Sequence, residues 1–151
     1  MHIYIGSDHG GFAQKQLLSA ELEKKGYTVT DCGTYSSEST DYPDFALAVG
    51  RAVNEHPRGR GILLCRSGEG MEIAANKIPK IRAALVWNSR VAAETRHDND
   101  ANILVLPSDF ISDQDALDIA STFLTTEFSN EERHIRRIEK IHNIEHVPFQ
   151  A

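Results

Sequence analysis

Short apolar or β-branched runs alternate along this chain with longer stretches in which apolar residues return every three or four positions. The runs, at about residues 2–6, 27–31, 61–65, 82–87 and 103–106, predict five strands. The stretches between them predict helices at about 10–25, 43–56, 69–78, 89–97 and 113–126. In the first helix Phe12, Leu17, Leu18 and Leu22 make the apolar side, and Lys24-Lys25-Gly26 supplies a basic last turn and a glycine stop. Strands and helices in strict alternation indicate an α/β domain with a parallel sheet. A last helix, about 130–143, is mostly charged. Its thin stripe of Ile135, Ile138 and Ile141 suits packing on a partner subunit.

Ligands of such sheets bind beyond the carboxyl ends of the strands, which singles out a few segments. They are Ser7-Asp8-His9-Gly10-Gly11, Cys65 to Gly70, Asn88 and Pro107-Ser108-Asp109, joined by Asp41-Tyr42-Pro43-Asp44 at the start of another helix. The most informative is Cys65-Arg66-Ser67-Gly68-Glu69-Gly70, placed between a strand and a helix. A turn of this kind offers unpaired N–H groups and a positive helix end, which can hold an anion and lower a thiol pKa.

Composition narrows the partners. With 16 basic and 22 acidic residues the formal charge is -6, which argues against nucleic acid and anionic membrane and favours small phosphorylated metabolites. No apolar run reaches membrane-spanning length, and Met1 to Gly6 lacks the pattern of a secretory leader, so a cytoplasmic protein is expected. No repeat, biased segment or linker divides the 151 residues, and one domain over 1–151 is expected. Cys32 and Cys65 lack metal-motif spacing and read as reduced thiols; the histidines show no paired spacing, and no metal is expected.

Each candidate group has an ordinary role beside its chemical one. Cys65 can be a small core residue; in the functional reading Arg66 and the helix end favour its thiolate, which removes a carbon-bound proton. Ser67 can be a helix cap, or its hydroxyl can join the N–H groups of Gly68, Glu69 and Gly70 around an oxyanion. Asp8 can cap the first helix, or Asp8 and His9 can grip a polyol phosphate. Arg133 and Arg137 share one helical face, which is either solvated or a phosphate receptor. His97-Asp98-Asn99-Asp100 is either a polar turn or part of a site.

Taken together, Ser7 to Gly11, Thr40 to Asp44, Cys65 to Gly70 with Ile73-Ala74-Ala75-Asn76-Lys77, and Arg133 to Arg137 resemble the type B ribose-5-phosphate isomerases and their galactose-6-phosphate isomerase relatives. The resemblance covers nearly the whole chain, with the motifs in the family's order. It implies a three-layer, Rossmann-like α/β/α domain with a five-stranded sheet, a homodimer or dimer of dimers with sites built from both subunits, and no cofactor or metal. It also implies aldose–ketose isomerisation of a sugar phosphate through an enediolate. By motif, Cys65 would shuttle the proton and Ser67 would assist at the sugar oxygens. Gly68, Glu69 and Gly70 would line the anion hole, Asp8 and Tyr42 would contact the open sugar, and His9, Arg133 and Arg137 would face the phosphate. Asn99 would lie near the substrate.

Four positions depart from that pattern. The family commonly has a histidine where this chain has Asp98, with His97 one place earlier, so the group that opens the sugar ring is Asp98 or His97. Asp109 stands where relatives often place a phosphate-binding arginine. Arg66 replaces a usual glycine, and Glu69 enters a loop that is usually uncharged. Arg66 can restore the positive charge lost at 109, or Glu69, Asp98 and Asp109 can together select another sugar. Ribose 5-phosphate is the leading substrate. The alternatives are a six-carbon or deoxy sugar phosphate, or a non-catalytic sugar-phosphate binding protein.

Overall fold

A computed structural model describes residues 1–147. Five strands, β1 (His2–Ser7), β2 (Thr28–Asp31), β3 (Arg60–Cys65), β4 (Ala83–Leu85) and β5 (Ile103–Pro107), form one sheet in the order β2-β1-β3-β5-β4, with every pairing parallel. The helices are α1 (Phe12–Lys24), α2 (Tyr42–Glu55), α3 (Glu69–Ala75), α4 (Ser89–Asn99), α5 (Asp113–Thr125) and α6 (Glu132–Ile144).

The sheet is covered on both faces, and side-chain alternation divides the core accordingly. Ile3, Ile5, Ile62, Leu64, Leu104 and Leu106 pack with Leu18 of α1 and Ile119 and Phe123 of α5. Tyr4, Leu63, Cys65, Ile103 and Val105 face the other way, against Ala46 and Val49 of α2 and Met71 of α3. Burial on both faces explains why β3 and β5 are unbroken apolar runs rather than alternating ones. Ile62 pairs with both Ile5 and Leu104, at the centre of the ladder.

Some boundaries differ from the sequence pattern. The fourth strand is shorter than 82–87, because the Arg82 N–H donates to the Asn102 side chain instead of a neighbouring strand. The fourth helix runs on to Asn99, so His97, Asp98 and Asn99 lie on its last turn rather than after it. The last helix lies against α4 of its own chain through the buried His134, while Ile135, Ile141 and Ile144 remain exposed. Packing of this helix on a partner is therefore not its sole contact. Among the described residues no helix is long and apolar enough to cross a membrane.

Candidate active site

The connection from β1 leads to β2 on one side and the sheet continues to β3 on the other, so the ends of β1 and β3 flank a switch point where ligands of such sheets bind. Asp8 N–H donates to Leu64 O at 3.2 Å and ties the two ends together. Beyond them lie the two loops that carry Asp8-His9-Gly10-Gly11 and Cys65 to Gly70.

Cys65 is the last residue of β3 and 5 % exposed. The Gly68 N–H donates to its Sγ at 3.1 Å. Burial pushes the Cys65 thiol above its ordinary pKa; the backbone N–H groups of Met71, Gly68 and Ser67 pull it down, and the Asp8 carboxylate adds a further push upward. This corrects the expectation of a depressed thiol, because removal from water outweighs the helix end. Arg66 does not support the thiolate either: its guanidinium pairs with Asp109, Nε to Oδ2, at 3.1 Å.

Gly68 is the residue before α3 and has φ +80°, a left-handed conformation natural to glycine. A Cβ there would lie 2.3 Å from Leu85 Cδ1. Since Gly68 occupies the cap position, Ser67 is not a helix cap. Its side chain borders a shallow cleft of about 530 Å³ with Glu69, Leu85, Trp87, Pro107 and Phe110. The Gly68 N–H points to the thiol, so Glu69 and Gly70, in the first turn of α3, have the N–H groups left without helical acceptors.

Other elements converge on the same loop. Tyr42, at the start of α2, lies so close to Gly70 that a Cβ there would sit 2.9 Å from Tyr42 Cζ. One Asp8 oxygen accepts from Gly10 N–H at 2.9 Å and Gly11 N–H at 3.1 Å, which closes the turn into α1. The His9 ring accepts at Nδ1 from Thr40 N–H at 3.4 Å, linking this turn to the segment that leads to Tyr42.

Behind that segment is a group that no local sequence pattern singles out. Lys15 of α1 is fully buried, and its Nζ meets Asp31 Oδ1 at 2.5 Å and Thr34 O at 2.7 Å. Asp31 also accepts from Gly33 N–H at 2.8 Å, and Thr34 N–H donates to Ser7 O at 2.8 Å. A buried cation thus fixes the start of the chain that delivers Thr40 and Tyr42 to the site.

The remaining candidates lie elsewhere in the chain. Helix α4 leaves Asn88 beyond the carboxyl end of β4 and runs back beside the sheet for 11 residues, about 16 Å. Its last turn reaches the opposite edge, where Arg82 Nε donates to Asn99 O at 3.0 Å and Gly61 N–H donates to Asn102 O at 2.9 Å. His97, Asp98 and Asn99 are therefore at the far end from Cys65. Asp98 Oδ1 is 2.7 Å from His97 Nδ1 and 3.5 Å from Nε2 of the buried His134. The His97 imidazole, helped by His134 and Arg133, holds the Asp98 carboxyl below the ordinary carboxylate range. Arg133, beside His134, pairs with Glu131 at 2.7 Å, and Arg137 is exposed one turn on. One chain brings together Asp8, His9, Tyr42 and Cys65 to Gly70. It does not bring His97, Asp98, Asn99, Arg133 or Arg137 to them.

This fold has close counterparts. Residues 3–141 match the model of the Ribose/Galactose Isomerase family. The chain belongs to that family. Ribose-5-phosphate isomerase B of Mycolicibacterium paratuberculosis is 40% identical over 140 residues, covering 92% of this chain and 88% of that protein. The structure of Clostridium thermocellum ribose-5-phosphate isomerase B superposes with a TM-score of 0.94 at 49% identity, covering 97% of this chain and 98% of the other. That of the Mycoplasma genitalium ribose-5-phosphate isomerase B with bound ribulose-5-phosphate gives 0.92 at 39% identity, covering 97% of each chain.

In this member of the family the aromatic wall formed by Trp87 and Phe110 is a further part of the site region. Both rings are well exposed, line the cleft beside Ser67 and Glu69, and stand shortly after β4 and β5. Their place just beyond two strand ends was the available sequence signal. Asn88, which also follows β4, accepts from Val91 N–H at 2.9 Å and serves as the cap of α4.

Proposed function

We propose that this protein is a cytoplasmic aldose–ketose isomerase that interconverts ribose 5-phosphate and ribulose 5-phosphate, acting as a single domain within a homodimer or a dimer of dimers. The observation that carries the reading is the placement of a lone thiol at the floor of the β1/β3 crevice, beneath a glycine-rich loop with free N–H donors, in a member of a sugar isomerase family.

The residues support a complete proton path. Cys65 as thiolate takes the proton from C2 of the open aldose. The electrons of the C2–H bond form the C1–C2 double bond, and the carbonyl π electrons move to O1. Glu69 and Gly70 N–H groups, with the Ser67 hydroxyl, stabilise the resulting enediolate. Transfer of the O2 proton to O1 and return of the Cys65 proton to C1 give the ketose. Asp8 and Tyr42 orient the open chain, and His9 faces the phosphate.

The far placement of Asp98, Asn99, Arg133 and Arg137 supports a site completed by a second copy. Across the sheet these groups are too distant to reach substrate held over Cys65 of their own chain. On an adjoining subunit they would supply ring opening, by Asp98 or His97, and further phosphate contacts. Asp98 is an ionised acceptor able to take a hydroxyl proton, and its neighbour His97 can relay it.

A direct assay of ribulose 5-phosphate formation, run beside six-carbon and deoxy aldose phosphates at equal concentration, tests the substrate. The highest kcat/KM is expected for ribose 5-phosphate. A higher value for another sugar would reassign the substrate and make Glu69, Asp98 and Asp109 the first residues to examine.

A further inference from the structure

Arg66 and Asp109 stand on different strand-end loops, one directly after β3 and the other after β5, and meet as an ion pair at 3.1 Å. Two backbone bonds set the register that brings them together: Ser108 N–H donates to Cys65 O and Asp109 N–H to Arg66 O, both at 2.9 Å. The stem of Arg66 rests on a third loop. A Cβ on Gly10 would lie 2.3 Å from Arg66 Cγ, 3.2 Å from Cδ and 3.3 Å from Asp8 Oδ1. Only glycine leaves room for the arginine to cross the β1–α1 turn beside Asp8 and His9.

The pair therefore spans the mouth of the crevice whose floor is Cys65. Asp109 approaches the guanidinium most closely at Nε, the arginine side chain is 70% exposed, and among the described residues its two terminal nitrogens carry no hydrogen bond. A guanidinium approached by its carboxylate on the Nε side keeps a planar pair of donors for an incoming oxyanion, a geometry that suits a phosphate monoester.

We propose that Arg66 binds the phosphate of the substrate and that Asp109 is its positioning residue, holding the guanidinium over Gly10 without touching the substrate. This rests on the sugar-phosphate reading of the same site. It assigns a use to a carboxylate that, standing alone beside an anion, would only repel it. The two roles predict opposite signs when the charge at 109 is removed.

The test compares wild type, Arg66→Ala, Asp109→Asn and the double variant by three readouts: KM and kcat for ribose 5-phosphate, inhibition by inorganic phosphate, and thermal stabilisation by inorganic phosphate. Loss of a charge-assisted contact should raise KM and weaken phosphate inhibition about tenfold in Arg66→Ala, with kcat changed far less. Asp109→Asn should raise KM in the wild-type background and fail to raise it once Arg66 is gone. A lower KM for Asp109→Asn in the wild-type background would overturn the positioning role. Unchanged KM and phosphate inhibition in Arg66→Ala would overturn the binding role. Thermal stabilisation by phosphate requires no turnover. If it depends on Arg66 while no sugar phosphate is isomerised, the isomerase reading fails and this inference stands; turnover with phosphate binding indifferent to Arg66 gives the reverse.

Discussion

The sulfur of Cys65 accepts a hydrogen bond from the backbone N–H of Gly68 at 3.1 Å. This contact ties a thiol that packs among core side chains to the loop above it, and it uses the left-handed Gly68, whose φ is +80°. Replacing Cys65 by alanine removes the proposed proton carrier and little volume. A fall in kcat of about 10²–10⁴-fold is expected, with the melting temperature within a few degrees of wild type. Retained activity in a folded Cys65→Ala variant would transfer the role of base to another group. Glu72 is a poor substitute, since its Oε1 already accepts from Leu85 N–H at 3.0 Å.

The pH profile follows from the burial of that thiol. In the proposed mechanism only the thiolate takes the C2 proton, and burial raises the Cys65 pKa above its ordinary value. The rate must therefore climb as pH rises, and kcat/KM should still be increasing past about pH 8.5, the usual thiol midpoint. Asp8→Asn removes the carboxylate that pushes the thiol up, and should move the climbing limb to lower pH. A limb that levels off well below pH 8 in the wild type would show that the working thiol is not in this environment.

The separation of Cys65 from Arg137 makes a mixing experiment decisive. In the proposed dimer, Cys65→Ala and Arg137→Ala homodimers should each be nearly inactive. Mixed after reversible dissociation, they should regain about a quarter of wild-type activity, because half the dimers are hybrids with one intact site of two. No recovery on mixing, with hybrids demonstrated, would place the two residues in the same chain's site.

Lys15 is fully buried and bound to Asp31 and to Thr34 O. Lys15→Met leaves Asp31 without its cation and Thr34 O without its donor, and a loss of about 3 kcal/mol in unfolding free energy is expected. Denaturant titration reads this. At temperatures where the variant is still folded, KM should rise as well, through loosening of the segment that carries Thr40 and Tyr42.

The sheet was legible in the sequence because β3 and β5 are buried on both faces and so appear as unbroken apolar runs. Cys65 to Gly70 was legible for a different reason: strand end, glycines and helix start are neighbours in sequence. The relations that escaped are those between distant residues. Nothing local in α1 marks Lys15 as buried, since its partners lie 16 and 19 positions away. Arg66 next to Cys65 looked like a thiolate partner until folding brought Asp109 to it. The length of α4 was hidden by the polar run His97-Asp98-Asn99, which continues the helix because its side chains find His134 and solvent on the outer face.

The most direct measurement is proton NMR of ribose 5-phosphate in deuterated water, with wild type and Cys65→Ala. Deuterium is expected at C2 with the wild type and is expected to be nearly absent with Cys65→Ala. Wild-type protein that binds the sugar phosphate, as shown by thermal stabilisation, yet leaves the C2 proton in place would contradict it.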